Sequence, residues 1–112
     1  MDRESYQTFY ASLPLGPGQI RLVRVYPAES WDDPLLCYIG VVDISQSPPY
    51  NAVSYTWGGQ VPEHPVSCNG REVLVTQSCV DALKGIRFQS LPVVWIDQLS
   101  ISQCDPEEKN QQ

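Results

Sequence analysis

Imidazole is almost missing from this sequence, since His64 is its only histidine. The four cysteines, Cys37, Cys68, Cys79 and Cys104, include no C-x-x-C pair. Zinc sites bring their ligands in closely spaced pairs because one turn must aim two of them at one ion, so no metal centre is expected. Positive charge is scarce too, 7 Lys and Arg against 13 Asp and Glu, for a net charge of −6. A field of that sign repels phosphate backbones and anionic headgroups, so neither nucleic acid nor a membrane surface is an expected partner. No window approaches the ~20 apolar residues that span a bilayer. The opening MDRESYQTFYASLPLGPG also lacks the apolar core of a secretory signal. The expectation is a cytoplasmic protein whose cysteines serve as small buried hydrophobes.

What is present is a globular composition, 42% hydrophobic and 18% charged over 112 residues, enough for one domain with one core. Residues 1–12 are polar and read as a flexible arm. In IRLVRVYP, Ile20, Leu22 and Arg24 share one strand face and Val23 and Val25 the other, until Pro27 ends the run. LLCYIGVVDIS predicts a second strand and a hairpin with the first, with a bulge at Gly40. NAVSYTWGG alternates Val53, Tyr55 and Trp57 against smaller residues and runs into Gly58-Gly59, which permit a sharp turn or close backbone approach.

Further along, HPVSCNGREVLVT carries Asn69-Gly70 between two alternating arms, the signal of a type I′ hairpin. Thr76 reads as the N-cap of a helix whose Cys79, Ala82, Leu83 and Ile86 form one apolar stripe. Val93-Val94-Trp95-Ile96 is a short run without alternation, as in a strand covered on both faces. A helix between strands predicts a crossover with at least partly parallel pairing. Asp97 then stands at a strand's carboxyl end, where ligand sites gather in open sheets. A polar loop follows, after which Asp105, Pro106 and Glu108 have the spacing of a capping box opening another helix. Only about two turns remain after it, so the chain reads as ending inside that helix.

Two of these segments carry a family resemblance. YNAVSYTWGG resembles the Y-x-A-L-S-Y-x-W-G signature of the fungal heterokaryon-incompatibility (HET) domain. VVWIDQLSISQCDPEEKNQQ resembles that family's L-W-I-D-x-x-C-I-N-Q-x-D-x-x-E-[RK]-x-x-Q segment, and VSCNGREVLVTQSCVDALKGIR is similar to the strand, turn and helix between them. One departure is plain: Ser100-Ile101-Ser102-Gln103 stands where the family has Cys-Ile-Asn-Gln. The resemblance implies that residues 13–112 are the front part of a HET domain. The implied fold is α/β, a mixed β-sheet with a crossover helix, TIR-like in outline and incomplete at the C-terminus.

The function it implies is fungal non-self recognition and programmed cell death, through a protein partner or self-association. Two alternatives accompany it. The chain is then either a truncated, inactive remnant or a TIR-like enzyme cleaving NAD, which would be a substrate; no cofactor is expected. Splitting an N-glycosidic bond builds oxocarbenium-like charge that a carboxylate can stabilise. Asp97 and Glu108 are the carboxylates for it, Trp57 a stacking surface, Gly58 a place for backbone donors, and Ser54 a ligand contact. Each has a plainer reading: a loop cap for Asp97, the capping box for Glu108, core packing for Trp57, the turn for Gly58, a backbone bond for Ser54.

Overall fold

Alternation along Gln19–Val25 puts Arg21, Val23 and Val25 on one face, and all three are buried there. This strand, β1, pairs antiparallel with β2 (Leu36–Asp43) in unbroken register from Gln19 opposite Asp43 to Val25 opposite Cys37. The computed structural model describes residues 3–53 and 59–101. The bulge expected at Gly40 is absent, because Gly40 lies in register with Leu22. Its missing side chain instead makes room for the Tyr38 ring, which a Cβ at Gly40 would meet at 3.0 Å.

Four more strands complete a six-stranded mixed sheet of order β3-β6-β1-β2-β4-β5. β3 (Asn51–Val53) runs parallel to β6 (Val93–Ile96), and β6 is antiparallel to β1. β4 (His64–Cys68) runs parallel to β2 and antiparallel to β5 (Arg71–Val75). The expected type I′ turn joins β4 to β5, with φ of 54° at Asn69 and 79° at Gly70. His64 opens β4 opposite Val75.

Asn69 does more than turn the chain. Its Oδ1 accepts from the Ile39 N–H (2.8 Å) and its Nδ2 donates to the Ile39 carbonyl (3.0 Å), extending the ladder past the last β2–β4 pair. Asn69→Ala removes both bonds and places a residue with no left-handed preference at positive φ. The expected loss is about 2 kcal/mol in urea unfolding, with Asn69→Asp, which keeps the acceptor, falling between.

Helix α2 (Gln77–Ile86) links β5 to β6 and is capped by Thr76, whose hydroxyl accepts from the Cys79 N–H at 3.3 Å. The parallel crossover expected across it needs correction: β5 and β6 point in opposite directions and are separated by β1, β2 and β4. The β4–β5 hairpin reverses the chain just before the helix, so β6 matches the direction of β4. The sheet is parallel elsewhere, at β2–β4 and β3–β6.

In a flat sheet, four strand spacings of ~4.8 Å would hold β5 and β6 roughly 19 Å apart. Yet Thr76, which follows β5, bonds directly to Gln98, two residues past β6. The sheet therefore curls, and the core lies inside the curl: Val23, Val25, Ile39, Val66, Val73, Val75, Val94 and Ile96 from strands, with Cys79, Leu83 and Ile86 from α2.

The flexible arm expected over residues 1–12 is instead helix α1 (Arg3–Ala11), whose Phe9 and Tyr10 are each 3% exposed and belong to that core. Their spacing with Tyr6 and Leu13 in the sequence is helical, a stripe obscured by the polar residues around it. Tertiary contacts hold this short helix: the Tyr10 hydroxyl donates to the Leu99 carbonyl at 2.6 Å. No helix among the described residues is long and apolar enough to cross a membrane.

Candidate functional site at the carboxyl end of β6

β6 ends at Ile96, and Asp97 begins a single helical turn, α3 (Asp97–Ser100). This replaces the polar loop expected after the strand, and Gln98, Leu99 and Ser100 are all buried. The turn closes on itself, because the Ser100 hydroxyl accepts from the Ile96 N–H at 3.1 Å and the Ile101 N–H donates to the Asp97 carbonyl at 3.2 Å. Asp97 is half-buried, with its Oδ1 shielded from solvent. Val53 stands in register with Ile96, so the carboxyl ends of the parallel pair β3 and β6 open at one place, beside Asp97. Of the sequence-derived candidates, Asp97 is the one this structure places. Ser54, Trp57, Gly58 and Glu108 lie outside the described residues.

A buried polar cluster adjoins it. The Gln98 Oε1 accepts from the Thr76 N–H and from the Thr76 hydroxyl, each at 3.1 Å, while its Nε2 approaches the same hydroxyl at 2.8 Å. Two first-turn amides of α2 are already used, Cys79 N–H by Thr76 and Ser78 N–H by the Gln60 Oε1 at 3.1 Å. The start of α2 thus offers those donors to no ligand. On the other flank Arg21, 2% exposed, donates to the carbonyls of Leu13 (2.8 Å) and Ser100 (3.2 Å). Its guanidinium lies 5.0 Å from the centre of the Tyr10 ring.

The buried thiols are tuned against reactivity. Cys37 and Cys68 are register partners on adjacent strands, and Cys79 is buried with them. Hydrogen bonding to Cys37, then burial, pushes the Cys68 thiol far up. Burial first, then the charges of Cys37 and Asp97, push Cys79 up to about 12. A nucleophilic cysteine needs the opposite shift. Because the folded thiol titrates above its ordinary 9.0, folding keeps this contribution below pH 9 and loses it as pH rises toward 12. Unfolding free energy should fall between pH 9 and 12 by up to ~1.4 kcal/mol per pH unit for each such thiol. Cys79→Val should flatten that slope in urea titrations.

The sequence match decides the lineage. Residues 50–112 fit the family model described as heterokaryon incompatibility protein (HET). A relative from Neurospora crassa, heterokaryon incompatibility protein 6, OR allele, is 36% identical over 106 residues, covering 81% of this chain. The chain belongs to the HET family. It spans 15% of that relative's length. No solved structure matches it.

Within this HET chain, the departure at Ser100 acquires a physical meaning. Ser100 is fully buried, and its hydroxyl fills the hydrogen-bonding need of a buried strand-end amide. The substitution therefore lies in the wall behind Asp97. Sequence reasoning missed Thr76–Gln98 as a buried pair, along with Arg21 and Arg87, because polar residues read as surface by default. The one available signal was position: Gln98 follows Asp97 directly, inside a run that ends a core strand.

Proposed function

We propose that this HET chain is a fungal non-self-recognition module that signals programmed cell death from the cytoplasm, through contact with a protein partner or a second copy. The observation that carries the reading is its relation, across 81% of its length, to a Neurospora protein named for heterokaryon incompatibility. The test is inducible expression in Neurospora crassa, both of the chain alone and of the relative with its matching segment replaced by this chain. Vital-dye uptake and arrested growth are the expected results. Full viability with both proteins accumulating would remove the reading.

A second reading follows from Asp97, a half-buried carboxylate at the shared carboxyl ends of two parallel strands. It makes the HET chain a TIR-like enzyme that splits NAD at its nicotinamide ribosyl bond, with Asp97 stabilising charge on the sugar. Glu108, Ser54, Trp57 and Gly58 are its supporting candidates. Asp97→Asn should lower nicotinamide release at least about 100-fold. Equal release from both proteins, or none from the parent, defeats this reading.

A further inference from the structure

Backbone bonds gather several exposed apolar side chains at one end of the sheet, away from Asp97. Val25 N–H donates to the Pro92 carbonyl and Tyr26 N–H to the Leu36 carbonyl, each at 2.9 Å. Arg87, only 3% exposed, donates to three carbonyls, those of Ser30 (3.0 Å), Trp31 (2.5 Å) and Pro34 (3.2 Å). These bonds tie the segments that carry Tyr26, Trp31, Leu36, Phe88 and Leu91, all exposed large hydrophobics. At the centre, the Trp31 and Phe88 rings stack at 6.0 Å with 7° between their planes, each residue 50% exposed.

The stack is held rigid from below. Arg87 lies 5.4 Å from the centre of the Phe88 ring and clamps the loop that presents Trp31. Asp33 fixes the same loop, its Oδ2 accepting from the N–H groups of Glu29 and Ser30 at 3.1 Å. Rigid aromatics lose little entropy on contact, which is why they serve as anchors in interfaces. The rim is acidic: Glu29 and Asp32 are exposed, and Asp32 also walls a depression of about 250 Å³ whose lining includes Asp33, His64, Gln77 and Lys84. Arg24 of β1 is the exposed cation nearest in sequence to this end.

We propose that the Trp31–Phe88 stack and the carboxylates of Glu29 and Asp32 form a docking surface for a basic, arginine-bearing segment of a partner protein. A guanidinium is flat enough to lie on an indole while its edge pairs with a carboxylate. Apolar neighbours in the partner segment cover Tyr26, Leu36 and Leu91. The chain's net charge of −6 steers such a partner in and opposes a second copy. This surface gives the protein contact of the proposed function a location, and binding in solution is scored separately from death in cells.

The test titrates the isotope-labelled 112-residue chain with a short peptide of alternating arginine and leucine, followed by proton–nitrogen NMR. Shifts confined to the Trp31 indole and to amides near Phe88 and Asp32 are expected. Trp31→Ala and Asp32→Lys should each weaken binding about tenfold or more while leaving the remaining peaks in place. Undiminished binding by both variants overturns the proposal, as does an equal response to a glutamate–leucine peptide. Movement of the Trp31 signal with protein concentration alone overturns it in favour of self-association.

Discussion

Arg21→Met should lower the free energy of unfolding by about 3 kcal/mol, a large share of the ~5–15 kcal/mol that holds a domain this size. Methionine keeps the packing of the arginine stem but has no donors. The carbonyls of Leu13 and Ser100 then lose the bonds Arg21 gives them, and the Tyr10 ring loses its cation. Leaving buried acceptors unmet costs ~1–3 kcal/mol each, and relief from burying the guanidinium offsets part of it. Because Arg21 joins the end of α1 to the end of α3, hydrogen exchange in α1 should rise more than in the β4–β5 hairpin. Arg21→Lys should not restore stability, since one ammonium cannot reproduce the guanidinium's fixed fork. A neutral Arg21→Met in urea unfolding would mean that burying the charge costs as much as its bonds return.

The second large effect lies in the pair that closes the curl. Thr76→Val removes the helix cap on Cys79 N–H and the hydroxyl that Gln98 contacts, leaving a buried amide group unmet. Cap loss costs ~1 kcal/mol and the stranded amide ~1–3, so about 3 kcal/mol in sum is expected. Gln98→Leu alone strands the Thr76 N–H, leaves the capping hydroxyl no acceptor for its proton, and should cost about 2 kcal/mol. The double variant should be less harmful than the sum by about 1 kcal/mol, because removing both polar partners leaves fewer unmet groups. Strict additivity in such a cycle would show that the two side chains do not act as a pair.

The residues that spoke clearly in the sequence were those whose local chemistry admits few conformations. Asn69-Gly70 required two positive φ angles and has them. Thr76 needed a helix to cap, and Cys79, Leu83 and Ile86 needed a core to face, and each found it. The Val93–Ile96 run reads as a strand covered on both faces, and Val93, Val94 and Ile96 are buried with Trp95 half-buried. What stayed hidden depends on partners distant in sequence. α1 is too short to announce itself without the contacts of Tyr10 and Arg21. Strand directions followed from the hairpin's reversal before α2. For the candidate site, the end of an apolar run drew attention to Asp97, whereas its surroundings, Thr76, Gln98 and Arg21, are polar residues whose burial only tertiary structure reveals.

The bond from Tyr10 to Leu99 spans 89 residues, and that distance sets a timetable on the ribosome. At ~5–20 residues per second, the partner of α1 emerges roughly 4–18 s after Tyr10 itself. Until then β1 can pair only with β2, since β6, its other neighbour, has yet to be made. Before β4 is made the growing chain carries a two-stranded ribbon open on both flanks, and until β6 follows the β1 edge stays unpaired, an arrangement ready to pair with a stranger. A pause in translation between Asp43 and Val93 prolongs that interval, so elongation speed over this stretch governs how much newly made protein needs chaperone protection.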